Sequence, residues 1–116
     1  GIENILNFLF SRNIDCFVVS GGEQNEVRSI LENFCLSNFF NDILGSPVTK
    51  KEHLKNIQPS NALYFGDAWS DYDAAKAFDM NFIFISGASE WTYGIEFCKK
   101  NNIHYYSNFN EIDFYN

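Results

Sequence analysis

Ala62-Leu63-Tyr64-Phe65-Gly66-Asp67 is a continuous apolar run that stops at a glycine and a carboxylate. Apolar residues that follow one another without polar alternation suit a strand covered on both faces. Two other runs have the same form. Cys16-Phe17-Val18-Val19 stops at Ser20-Gly21-Gly22, and Phe82-Ile83-Phe84-Ile85 stops at Ser86-Gly87. Between them the spacing turns helical: Ile2, Ile5, Leu6, Leu9 and Phe10, then Val27, Ile30, Leu31 and Phe34. Further helices are predicted over 51–57, around Ala74, Ala75 and Phe78, and around Ile95, Phe97 and Cys98, with short strands over 42–45 and 103–106. Covered strands alternating with helices predict an α/β fold with a parallel sheet. Such sheets bind ligands beyond the carboxyl ends of their strands, which directs attention to the polar residues where the runs stop.

Composition narrows the possibilities. A chain of 116 residues buries about two-thirds of its unfolded surface, enough for one domain without metal or disulfide support. Hydrophobic residues make up 46% and charged residues 20%, which is globular, and 13 phenylalanines predict a strongly aromatic core. Eight Lys and Arg against 15 Asp and Glu give a net charge of −7. That balance disfavours nucleic acid and anionic membrane surfaces as partners, so any anionic substrate needs a local site working against the overall field. No membrane span or signal peptide is apparent, and the expected location is cytoplasmic. Cys16, Cys35 and Cys98 form no metal-like cluster and are expected to be buried, reduced thiols. The chain opens on Gly1 rather than Met, as expected of a processed, trimmed or partial sequence.

Four positions stand out. Ser20, beside Gly21 and Gly22, reads either as a hydroxyl next to open backbone amides suited to phosphoryl oxygens, or as the cap of the next helix. Asp67 ends a strand and is not needed as a cap, because Ser70-x-x-Asp73 already fits a capping box; that leaves Asp67 as a candidate Mg²⁺ ligand. Asp71 suits the first helical turn. Thr49-x-x-Glu52 is a second capping box, which puts Lys50 and Lys51 in a first turn where cations oppose the helix dipole. Lys51 reads as a solvated side chain and Lys50 as the functional one. His53 and His104 read as surface or packing residues, and Trp69 and Trp91 as core or rim.

In order, Phe17-Val18-Val19-Ser20-Gly21, Gly45-Ser46-Pro47-Val48-Thr49-Lys50-Lys51-Glu52-His53-Leu54 and Tyr64-Phe65-Gly66-Asp67-Ala68-Trp69-Ser70-Asp71 resemble motifs II, III and IV of the haloacid dehalogenase-like (HAD) hydrolases of phosphatase type. The resemblance spans nearly the whole chain. It implies a three-layer Rossmann-like parallel sheet with helices on both faces. It also implies a Mg²⁺-dependent phosphohydrolase acting on a small phosphorylated metabolite. Ser20 would bond the phosphoryl group with Gly21 beside it, and Lys50 would offset its charge. Asp67 would bind Mg²⁺, with Asp71 as a ligand or as an outer partner. Ser20, Lys50 and Asp67 are expected to converge on one phosphoryl site.

The family's Asp-x-Asp nucleophile is not matched. The only such triplet, Asp71-Tyr72-Asp73, lies within the third stretch. Residues 1–116 are thus expected to be a single domain, the C-terminal part of a HAD-like core, lacking its first and central strand and a cap, and inactive alone. A complementing N-terminal segment or a homodimer is the expected partner, since unpaired strand edges invite pairing. The alternatives are a non-catalytic HAD-fold module and a receiver-like phosphoacceptor. The order Ser20, Lys50, Asp67 argues against the receiver, which places its acidic residues first.

Overall fold

Each apolar run forms a strand, and strands β1 to β4 are each followed by a helix. The computed structural model describes residues 2–112 and falls into two compact units, Gly1–Asn56 and Ile57–Asn116. All strand pairings are parallel, in two sheets, giving the mixed α/β, Rossmann-like fold the sequence predicts.

The first unit runs α1 (Ile2–Ser11), β1 (Phe17–Glu23), α2 (Gln24–Asn33), β2 (Asp42–Ser46) and α3 (Lys50–Ile57). Phe17, Val18 and Val19 face Asp42, Ile43 and Leu44, after which the register shifts and Glu23 faces Ser46. Four steps along β1 therefore match two along β2, and the excess is taken up at Ser20-Gly21-Gly22. Arg28 of α2 donates to the Ile43 carbonyl at 2.9 Å and to the Asp42 carboxylate at 3.2 Å, tying the helix to β2. Ile5, Leu6, Leu36, Ile43 and Leu54 are buried. β1, however, is not covered on both faces. Phe17 is exposed and Val18 and Val19 are half-buried. A sheet of two strands has only edges, so neither strand is enclosed.

The second unit runs β3 (Leu63–Gly66), α4 (Trp69–Ala77), β4 (Asn81–Ile85), α5 (Gly94–Asn101) and β5 (Tyr105–Tyr106), with strand order β3-β4-β5. Among the described strands only β4 is interior, and Phe84 within it is 1% exposed. Strand pleating sends Tyr64, Phe82 and Phe84 to one face. There Phe82 meets Tyr72 of α4 and Phe84 meets Trp91, at 5.6 and 5.2 Å between ring centroids. Phe65 points the other way, onto Phe109 at 5.4 Å.

The helices stop in a shared manner. Left-handed residues Asn13, Cys35, Gln58, Asp79 and Asn102 follow α1 to α5, and none is glycine. At four of these stops an N–H reaches back five residues: Ile14 to Leu9, Leu36 to Leu31, Met80 to Ala75 and Ile103 to Cys98. This is the backbone pairing that satisfies the last carbonyls of a helix. Among the described residues no helix is long and apolar enough to cross a membrane.

The cysteines differ from the sequence expectation. Cys98 is fully buried, Cys16 half-buried and Cys35 exposed at its helix stop. Burial pushes the Cys98 thiol up, and burial with the neighbouring Asp15 charge does the same to Cys16. Because the thiolate is the reactive form, a disulfide reagent at mildly alkaline pH is expected to modify Cys35 first, Cys16 more slowly and Cys98 only on unfolding. Native-state reaction of Cys98 at the rate of Cys35 would contradict this packing.

Candidate functional site

In the first unit, Lys50 approaches the β1 bulge that carries Ser20. The Ser20 hydroxyl oxygen accepts the Gly22 N–H at 3.0 Å, leaving its own proton to donate elsewhere. Ser20 does not cap α2. Glu23 does, its carboxylate accepting from the Glu26 N–H at 2.8 Å. The helix begins four residues beyond Ser20, with Glu23 as its cap, so the capping alternative is set aside.

Lys50 opens α3. As the sequence predicts, Thr49 precedes it as cap, its hydroxyl accepting from the Glu52 N–H at 3.2 Å. A Cβ built on Gly21 would lie 3.9 Å from Lys50 Cε, so the lysine stem lies against the Ser20-Gly21-Gly22 loop.

Two further contacts hold that loop. A Cβ on Gly45 would stand 2.5 Å from the Gly22 carbonyl and 2.7 Å from Gln24 Cα, an approach only glycine allows. His53, buried in α3, donates through Nε2 to the Gly45 carbonyl at 2.8 Å. His53 is thus a packing residue that links the helix carrying Lys50 to the strand pressing on the loop. A hydroxyl, an ammonium and a glycine-rich turn in this arrangement suit an anion.

In the second unit, Asp71 organises the end of β3. It is 6% exposed and accepts at least three hydrogen bonds. One comes from the Tyr64 hydroxyl at 2.8 Å, and the Asp67 and Ala68 N–H groups each donate at 3.2 Å. The helix starts earlier than the Ser70-x-x-Asp73 pattern predicts: Ala68 is the N-cap and Asp71, at the third helical position, reaches back to it. Ser70 therefore lies inside α4 rather than before it. A Cβ on Gly66 would fall 2.3 Å from Asp71 Cβ, so the close approach this glycine permits is to the Asp71 side chain.

Burial, then the charge and hydrogen bond of Asp71, then the Asp67 charge push the Tyr64 phenol well above its ordinary pKa. Tyr64 was not singled out from sequence, because a tyrosine inside an apolar run reads as core.

Asp67 is exposed, but its main chain is fixed on both sides: the N–H by Asp71, the carbonyl by the Ser89 hydroxyl. Among the described residues its carboxylate joins no hydrogen bond or ion pair. A rigidly held, outward carboxylate fits a hard cation such as Mg²⁺. The Asp71 oxygens are engaged by the Tyr64 hydroxyl and by the Asp67 and Ala68 N–H groups. Among the described residues no three His, Cys, Asp or Glu stand together as a complete ligand set. An open cleft of about 530 Å³ adjoins Asp67, lined also by Trp69, Ser70, Glu90 and Trp91. His104 is exposed, as a surface residue.

A family model described as haloacid dehalogenase-like hydrolase matches residues 1–85. The chain belongs to that family. The matched region contains Ser20, Lys50, Asp67 and Asp71, and membership sets the receiver-like alternative aside. Among solved structures, a HAD-superfamily hydrolase from Ehrlichia chaffeensis is similar, with a TM-score of 0.72 and 22% identity. The likeness covers 96% of this chain and 53% of that one, so this HAD-like chain spans about half the length of its structural relative. A search of the curated proteins returned no match.

Proposed function

We propose that this chain supplies the phosphate-binding and Mg²⁺-binding residues of a HAD-like phosphomonoester hydrolase acting on a small phosphorylated metabolite. In this reading, residues 1–116 are the C-terminal part of the core, and a complementing N-terminal segment contributes the nucleophilic aspartate. The observation that carries the proposal is the approach of the Lys50 stem to Gly21 beside the Ser20 hydroxyl. Phosphoryl transfer needs positioning and charge neutralisation more than acid chemistry, and these groups provide both.

The Ser20 hydroxyl donates to a phosphoryl oxygen, oriented by the Gly22 N–H it accepts. The Lys50 ammonium offsets phosphoryl charge, held at the helix start by the Thr49 cap. Asp67 is the metal carboxylate, and Asp71 is the positioning residue that fixes its backbone. Held by Asp67, Mg²⁺ would supply the charge neutralisation that phosphoryl transfer needs.

Inorganic phosphate with MgCl₂, followed by thermal denaturation, tests the reading, since a ligand that binds the folded state raises its stability. Lys50→Met is expected to weaken phosphate about tenfold or more, the worth of a charge-assisted hydrogen bond. Asp67→Asn is expected to abolish the Mg²⁺ dependence. The chain alone should not hydrolyse an aryl phosphate. Turnover that survives Asp67→Asn would remove Asp67 from the metal site, and no stabilisation at millimolar phosphate would instead support a non-catalytic HAD-fold module.

A further inference from the structure

In a parallel ladder the backbone groups of one strand meet those of the next, and the β1 bulge interrupts that pattern. Val19 pairs with Leu44 and Glu23 with Ser46, so Gly45 falls opposite the bulge, with no partner in register among the described residues of β1. Gly45 is buried, and a buried peptide group left unpaired costs free energy. Side chains meet both of its polar groups. Gln24 Oε1 accepts its N–H at 3.2 Å, and His53 Nε2 donates to its carbonyl at 2.8 Å.

The His53 bond has a second effect. His53 follows Lys50 by three residues on one face of α3, and it is buried beside Leu54. Its ring therefore ties the helix that carries the ammonium to the glycine lying against the Gly22 carbonyl. Attraction between an ammonium and an anion falls off with distance, and the lysine stem is flexible. Fixing the start of α3 against the loop limits how far that stem can carry the charge away.

We propose that His53 is a positioning residue of the phosphate site: its Nε2–H, given to the Gly45 carbonyl, holds Lys50 against the Ser20-Gly21-Gly22 loop. The inference rests on the proposed function for the anion itself, and it gives His53 a role beyond packing.

Inorganic phosphate is titrated by thermal denaturation, each variant against its own unliganded midpoint, so that a change in stability alone does not count. His53→Leu is expected to weaken phosphate about fivefold. His53→Gln is expected to bind within about twofold of the unaltered chain, because its terminal amide offers an N–H at similar reach. In a Lys50→Met background His53→Leu should add nothing, since its effect passes through that ammonium. Should His53→Leu not fold, Gln24→Leu, which removes the other side-chain bond to Gly45, is put through the same comparison with Lys50→Met. Undiminished phosphate binding, a Gln variant as weak as the Leu variant, or a full loss on top of Lys50→Met overturns the inference and leaves the phosphate site standing. No phosphate response in the unaltered chain, or one that Lys50→Met leaves intact, fells the proposed function instead, and this role with it.

Discussion

Phe84→Ala is expected to lower the unfolding free energy by about 3–5 kcal/mol, the range for truncating a buried phenylalanine. Phe84 is 1% exposed within β4, the one described strand with neighbours on both sides. Its ring stands 5.2 Å from Trp91, and a Cβ on Gly94 would meet it at 2.6 Å. With strand on either side and α5 above, nothing nearby can move in to fill the void, so the cavity part of the cost should be near its maximum. Urea denaturation followed by circular dichroism measures the loss. A change below about 1 kcal/mol would mean that β4 is not the centre of a packed core.

Asp71→Ala comes second, at about 3 kcal/mol, because it strips the acceptor from the Tyr64 hydroxyl and from the Asp67 and Ala68 N–H groups at once. Asp71→Asn should cost much less. Its amide oxygen still serves the two backbone donors, and the Tyr64 hydroxyl can turn to accept from the new NH₂. Equal losses for the two variants would show that the charge, and not the hydrogen bonds, holds the turn.

A pH dependence follows from the same clamp. Tyr64 has a raised pKa in the folded state, so its contribution to stability is complete below the ordinary tyrosine value of about 10. It declines as pH rises beyond that point, because the unfolded chain releases the proton first. Phenolate absorbance should show Tyr64 as the last tyrosine to ionise in the native protein, and Asp71→Ala should shrink the alkaline loss of stability.

Much of the fold was legible because apolar runs and helical spacing are local signals. The runs at Phe17, Tyr64 and Phe82 gave three strands, and their stopping points led to Ser20 and Asp67. The Thr49 cap was equally readable, since a threonine three residues before a glutamate is an explicit mark. Less legible was anything that depends on neighbours distant in sequence. Val18 and Val19 look enclosed, but enclosure depends on how many strands flank them, which periodicity does not encode. Ala68 has no side chain that could announce a cap, whereas Ser70 has one, so the helix start was placed two residues late. Tyr64 and Ser89 were missed because their hydroxyls matter only through Asp71 and the Asp67 carbonyl. Lys50 was singled out by the opposite kind of signal, a cation where the helix dipole disfavours one.

The helix stops have a consequence for engineering. At five positions the chain accepts a backbone twist that strains any residue with a side chain, and it spends asparagine or aspartate there three times but cysteine and glutamine at the other two. Neither of those carries the short local acceptor that eases an asparagine into that conformation. Cys35 and Gln58 are thus the places where the protein keeps unused thermal headroom, reachable by glycine, and neither is a residue assigned a chemical role.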